Sequence, residues 1–309
     1  MTGNTTNNPA NGPIVFDRKL LRQRRERAAA TAHDYDFLLR DVADRLFDRL
    51  SLVRRDFPLV ADLGGAHGVT AERLRTRPGT EHVITTDTSF TAARAAGGIV
   101  ADEEFLPFAK GSLDAVISNL ALHWTNDLPG ALLQIRNALK ADGLFMATLL
   151  GGETLRELRL SLMEAEMAVT GGASPRVSPF IDLRDMGALM QRANFALPVV
   201  DSELITVDYS SPLKLMQDLR GMGAANATFN RPMKPTRKAV LLEAAKIYHD
   251  TFADAQGRVP ATFQVIYVIG WAPHASQQKP LKPGSAAARL ADALRTEEIG
   301  TGEATAPKE

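Results

Sequence analysis

Short apolar runs alternate with helical stretches from residue 59 to residue 150, and this constrains the chain more than any other feature. The runs are 59–63 (LVADL), 82–87 (HVITTD), 97–102 (GGIVAD), 113–122 (LDAVISNLAL) and 143–150 (GLFMATLL). Each has the length and aliphatic or β-branched content of a strand. Helical spacing over 69–75, 90–96 and 128–139 separates most of them. Such alternation predicts an α/β, doubly wound, mostly parallel sheet with helices on both faces. Ligands of that architecture sit beyond the carboxyl ends of the strands, so glycines and carboxylates just after the strands are the candidates.

The flanks differ. Residues 1–15 are Asn-, Thr-, Gly- and Pro-rich and are predicted to be disordered. Residues 16–55 read as a helical arm. Its Arg-rich start, FDRKLLRQRRERAAA, is followed by Phe37, Leu38, Val42, Leu46, Phe47 and Leu50 near helical spacing, with Asp34 as N-cap. Residues 56–152 form the core. A helical insertion or lid is predicted over 153–258, with helices at 153–169, 182–193, 211–222 and 236–252 and one strand at 204–209. The long run 262–271, within 259–274, is the final strand of a seven-stranded sheet, and 275–309 reads as a flexible tail with helical potential at 286–298.

Composition removes several functions. Lys plus Arg and Asp plus Glu are equal at 36 each, so no global field attracts nucleic acid or an anionic membrane. There is no cysteine, which excludes disulfides, thiolate nucleophiles and cysteine-held metals. No apolar run approaches the ~20 residues of a membrane-spanning helix. The polar start lacks the basic and apolar regions of a signal peptide, which predicts a cytoplasmic protein.

The bend after the first strand, LVADLGGAHG, narrows the ligand. A dinucleotide fingerprint needs glycine at 64, 66 and 69, where the chain has Gly64, Ala66 and Val69. The acidic-x-Gly-x-Gly-x-Gly pattern of S-adenosylmethionine sites fits Asp62, Gly64 and Gly68 and fails at Ala66. That compound carries an ammonium and a sulfonium, which favour a carboxylate such as Asp62, and glycines admit a close backbone approach. Asp87 ends the second strand, where a ribose-binding carboxylate belongs; its bland alternative is a helix N-cap, for which Thr88 and Ser89 are also suited. Asp102 ends the third strand and is placed to accept from an adenine amino group, the alternative being a solvated acidic turn, as Glu103 and Glu104 read.

Together VADLGGAHG, TTDTS, ADEEFLPF and LDAVISNLALHW resemble the class I S-adenosylmethionine-dependent methyltransferase fold. Further segments, FDRKL, VADEEFLPF, LHWTNDLPGAL, LLGGETLREL, SPRVSPF, DLRGMGAANATFNR and VPATFQVIYVIGW, resemble the mitochondrial complex I assembly factor 5 family over about residues 16–286. The malonyl carrier-protein methyltransferase of biotin synthesis is a more distant likeness. The resemblance implies hydroxylation of an arginine in the quinone-proximal iron–sulfur subunit of respiratory complex I, in the cytoplasm for a bacterial member and the mitochondrial matrix for a eukaryotic one. It implies S-adenosylmethionine as cofactor, held by Tyr35, Asp62, Gly64, Gly65, Ala66, Gly68, Asp87, Thr88, Asp102, Glu103 and Asn119. The family's bend more often reads Asp-Leu-Gly-Cys-Gly-x-Gly, so Gly65 and Ala66 depart from it.

Catalytic chemistry is less marked. None of the six histidines begins a His-x-Asp/Glu pair, so no iron ligands are assigned and no metal site is predicted. His123, after the fourth strand, is a candidate to position substrate or move protons, and otherwise packs against Trp124. Asp127 either pairs with a substrate guanidinium or caps a helix. Asp208, Tyr209, Asn226, Asn230, Gln264 and Tyr267 are further substrate-facing candidates. The run Arg18, Lys19, Arg22, Arg24, Arg25 and Arg27 reads as a solvated helical face, or as a dock for an acidic partner. Three functions remain: protein-arginine hydroxylation, methyl transfer to a carboxylate, carrier-protein thioester or small molecule, and non-catalytic chaperoning of a subunit.

Overall fold

A computed structural model describes residues 14–278, 285 and 288–297. The first fifteen positions and the tail after 278, where disorder and flexibility are expected from sequence, lie largely outside the described residues. Seven strands, β1 (Leu59–Leu63), β2 (His82–Asp87), β3 (Ile99–Val100), β4 (Leu113–Asn119), β5 (Leu139–Leu150), β6 (Ala196–Tyr209) and β7 (Val259–Trp271), form one sheet in the order β3-β2-β1-β4-β5-β7-β6. β1 to β5 pair in parallel, while β7 runs antiparallel to both β5 and β6.

Alternate residues of β1 serve opposite faces, as the pleat requires. Ala61 and Leu63 join Leu132 and Ile135 of α5 (Leu128–Ala138) and Met186 and Met190 of α7 (Leu183–Arg192). Val60 packs on the other face with Leu46 and Leu50 of α2 (Phe37–Ser51) and Leu74 of α3 (Val69–Thr76). Burial on both faces explains why these strands read as apolar runs.

The insertion rests on a ribbon. β7 pairs with β5 only from Val265 onward, while its first half pairs with β6 alone. Against that projecting half pack α6 (Arg156–Thr170), α8 (Pro212–Gly221) and α9 (Lys238–Phe252), sharing a core with Phe263, Val259 and Tyr248. The insertion is therefore not all lid: α7 belongs beneath the sheet.

Three expectations change. The edge strand β6 begins eight residues before 204, because Asp201 and Glu203 break its apolar pattern. Asp34 does not cap α2; it lies in a preceding 3-10 turn beside His33, and α2 follows Asp36. Ser89, not Asp87, caps α4 (Phe90–Ala95), its hydroxyl accepting from Ala92 N. The remaining helix of this unit, α1 (Arg18–Ala28), starts at an Asp17 cap. Described residues from His274 onward form a second unit whose one described helix is α10 (Leu290–Leu294).

Candidate active site

At Gly64 and Gly65 the bend after β1 leaves no room for a side chain. Gly64 has φ +67° and Gly68 φ +85°, both left-handed. A Cβ on Gly64 would stand 2.2 Å from the Ala121 methyl, and one on Gly65 would stand 2.1 Å from Thr85 Cγ2 and 2.7 Å from Asp62 Oδ2. Any side chain at Gly65 would therefore force Thr85 or Asp62 to shift. Ala66 belongs to a one-turn 3-10 helix ending at Gly68, and its side chain lies outside the described atoms.

Carboxylates converge on this bend. Asp62 is fully buried with neither oxygen hydrogen-bonded, and burial, reinforced by the charge of Asp87, pushes its pKa up to about 8. Asp87 faces the cavity described below and accepts from Ser89 N at 2.8 Å. Burial pushes Asp87 upward as well, opposed by the Arg25 guanidinium and the Ser89 amide.

The turn after β3 corrects the sequence reading. Glu103 is 1 % exposed, not solvated, and its two oxygens are held separately by Arg25 (3.1 Å) and Arg18. Burial alone would raise its pKa, but Arg25 and Arg18 together bring it below the usual glutamate value. Glu104 is tied down as well, accepting from Asn126 N while its carbonyl accepts from Gln134 at 2.7 Å. Asp102 accepts from Arg18 and from Glu104 N. Thr88 is in contact with Arg25 at 3.5 Å. The basic run is thus only partly a solvated face: Lys19, Arg22 and Arg27 are exposed, whereas Arg18, Arg24 and Arg25 are folded inward. Spacing alone gave no sign of this, since the partners lie 78 and 85 residues away.

A cavity runs from this bend to an apolar chamber; Gly64, Asp87 and Arg25 reach its wall, whereas Asp62, Gly65, Gly68, Thr88, Asp102 and Glu103 do not. Gly64, His67 and Asp87 line one side, Arg25, Ala28 and Ala32 another, and Tyr35, His123, Trp124, Phe180 and Phe263 the deeper part. Tyr35 fits because α8 approaches it through a glycine: a Cβ on Gly221 would stand 2.5 Å from the Tyr35 ring. Nδ1 of His123 accepts from Leu150 N at 3.4 Å, which leaves the proton on Nε2. Burial, then the Arg25 charge, lowers its pKa to about 3, so the ring is neutral at physiological pH and unsuited to shuttling protons there. Its ring stands 5.1 Å from Trp124 and 5.5 Å from Phe180.

Other candidates are placed elsewhere. Asp127 caps α5, accepting from Gly130 N at 2.8 Å, and does not line the cavity. Asn119 ties the fold together, donating to the Leu39 carbonyl (2.9 Å) and accepting from Thr148 (2.7 Å), so its amide is not directed at a ligand. Asp208, Tyr209, Asn226, Asn230, Gln264 and Tyr267 are also absent from the cavity wall. Asn226 braces a loop through Pro175 O and Thr228, and Tyr267 lies under Arg49 at 3.6 Å. Sequence reasoning missed Asp36, His67, Phe180 and Met222 as wall residues.

Residues 61–147 match the methyltransferase domain family model. The arginine-hydroxylase NDUFAF5 of Danio rerio is 42% identical over 290 residues, covering 91% of this chain and 90% of the relative. This chain belongs to the NDUFAF5 arginine-hydroxylase family. The human member is 41% identical over 281 residues, covering 88% of this chain and 81% of its own length. A malonyl-[acyl-carrier protein] O-methyltransferase of Laribacter hongkongensis is 35% identical, with 87% and 94% coverage. The crystal structure of Bacillus subtilis YcgJ superposes with a TM-score of 0.53 at 16% identity, covering 74% of this chain and 98% of that one. Like the family model, it places the sheet among methyltransferase folds.

The chain is an enzyme of that fold, and its site fits S-adenosylmethionine. The fit rests on Asp62, a buried acid with two unpartnered oxygens beneath the glycines of the bend.

Proposed function

We propose that this chain binds S-adenosylmethionine and hydroxylates an arginine of the iron–sulfur subunit of respiratory complex I. The observation that carries this reading is the 42% identity to an arginine-hydroxylase, which spans the arm and the insertion as well as the core. Bound S-adenosylmethionine supplies a sulfonium cation. Asp87, on the cavity wall, would take the ribose hydroxyls, and Asp62 behind the bend would balance the positive charge. Asp102, which also holds Arg18, would take the adenine amino group, with Gly64, Gly65 and Gly68 giving the approach. Thr88 and Tyr35 flank the same ligand.

The deeper chamber suits a guanidinium. Tyr35, Trp124 and Phe180 offer aromatic faces, which attract cations. His123, kept neutral by burial, does not repel one and presents Nε2–H as a donor. Inserting oxygen into a carbon–hydrogen bond requires an external oxidant; the chain's part is to hold the side chain still and dry.

Methyl transfer is the second reading, favoured by the 35% identity to a malonyl carrier-protein methyltransferase across 94% of its length. Intact-mass comparison of the complex I subunit from wild-type and deletion strains separates the two. Loss of one oxygen's mass at a single arginine is expected, whereas loss of one methylene would establish methyl transfer. An unchanged subunit with failed assembly would overturn both in favour of a chaperone.

A further inference from the structure

The arm that carries Arg18 and Arg25 is fastened on two sides. Toward the core, both guanidiniums close on Glu103, and Glu26 binds Ser89 Oγ (2.7 Å) and Thr91 N (3.2 Å) at the start of α4. Toward the insertion, Asp17 N donates to Ala227 O at 2.8 Å and Phe229 N to Val15 O at 2.7 Å. Arg24 donates to the carbonyls of Ala225 (2.7 Å) and Asn226 (2.6 Å), and Arg231 pairs with Asp17 at 3.0 Å. Packing matches the bonding: a Cβ on Gly223 would stand 3.4 Å from the Ala28 methyl. The inner side of the arm, Ala28 and Ala32, is small and leaves the cavity open beneath it.

We propose that this arm is a double latch, one side on the 102–103 turn and the other on residues 223–231, so that S-adenosylmethionine exchanges only when both sides open together. The inference rests on the cofactor reading given above. Its physical basis is Glu103: a buried carboxylate stripped of both guanidiniums is costly, so the arm stays down or lifts as a unit. A protein surface that engages residues 223–231 then alters how tightly the cofactor is held, and bound cofactor reciprocally alters the affinity for that surface.

The absence of native cysteine makes the test clean. An Ala28→Cys, Gly223→Cys double variant places the two sulfurs on positions whose Cβ separation, 3.4 Å, is close to that of a disulfide. Because Gly223 is left-handed and both positions line the cavity, the reduced variant is first required to bind S-adenosylhomocysteine as the wild type does. S-adenosylhomocysteine loaded before oxidation is expected to remain bound through gel filtration and to leave on reduction. Oxidised chain without ligand is expected to take up none. Equal exchange in the oxidised and reduced states overturns the latch.

Should the cysteine pair fail to fold, Arg24→Ala and Arg25→Ala are measured by stopped-flow release. Each loses charge-assisted hydrogen bonds, and release about tenfold faster is expected. Arg24 lies off the cavity wall, so a wild-type rate for Arg24→Ala overturns the coupling to the insertion. If the wild-type chain binds neither S-adenosylmethionine nor S-adenosylhomocysteine at equilibrium, the cofactor reading itself falls, a result separable from any change in exchange rate.

Discussion

Asp62 decides more than any other single side chain. Without a cation it keeps its proton to about pH 8 in the folded chain, against ~3.9 in an unfolded one. Between those limits the folded state binds more protons than the unfolded state, so stability falls as pH rises through the window and levels off above it. Asp87 is shifted the same way, chiefly by burial. Asp62→Asn is expected to flatten the decline in denaturation midpoint between about pH 4 and 8, and to weaken S-adenosylmethionine binding by ~10–100-fold. Chemical denaturation across pH, with calorimetric titration of the ligand, checks both. A variant with the wild-type slope would show that Asp62 carries no such proton.

Among the elements, the joint between the insertion and β7 rests on a buried polar contact. Glu157 of α6 is 5 % exposed and receives Thr262 Oγ1 (2.5 Å) and Thr262 N (3.2 Å). Glu157→Ala leaves that amide buried without an acceptor, and a loss of about 1–3 kcal/mol is expected in urea unfolding. Strands β1 and β4 were legible because burial on both faces writes nearly continuous apolar runs. The first half of β6 was not, because an edge strand carries charge on its open side. The same ambiguity governs the site. Asp62 and Asp87 were legible from their position after strands, but Asp127 has the same local chemistry and is a cap. Three acids in a row at 102–104 look solvated until the guanidiniums that hold them, and bury Glu103, are known, and those come from a distant helix.

At the scale of the whole molecule, the sheet, the cavity and the arm all fall before His274. A chain ended after Pro273 is therefore expected to bind S-adenosylmethionine as the full chain does and to melt within ~2 °C of it, as thermal-shift titration would show. Among the described residues no helix is long and apolar enough to cross a membrane. What holds this molecule together also sets when it is whole. Asp62, buried without a hydrogen-bond partner beneath the glycines of the bend, costs the ligand-free fold stability that a bound cation would return. Ligand that binds the native form alone raises the folded population in proportion to its supply. S-adenosylmethionine is therefore expected to slow limited proteolysis of the purified chain in step with its concentration.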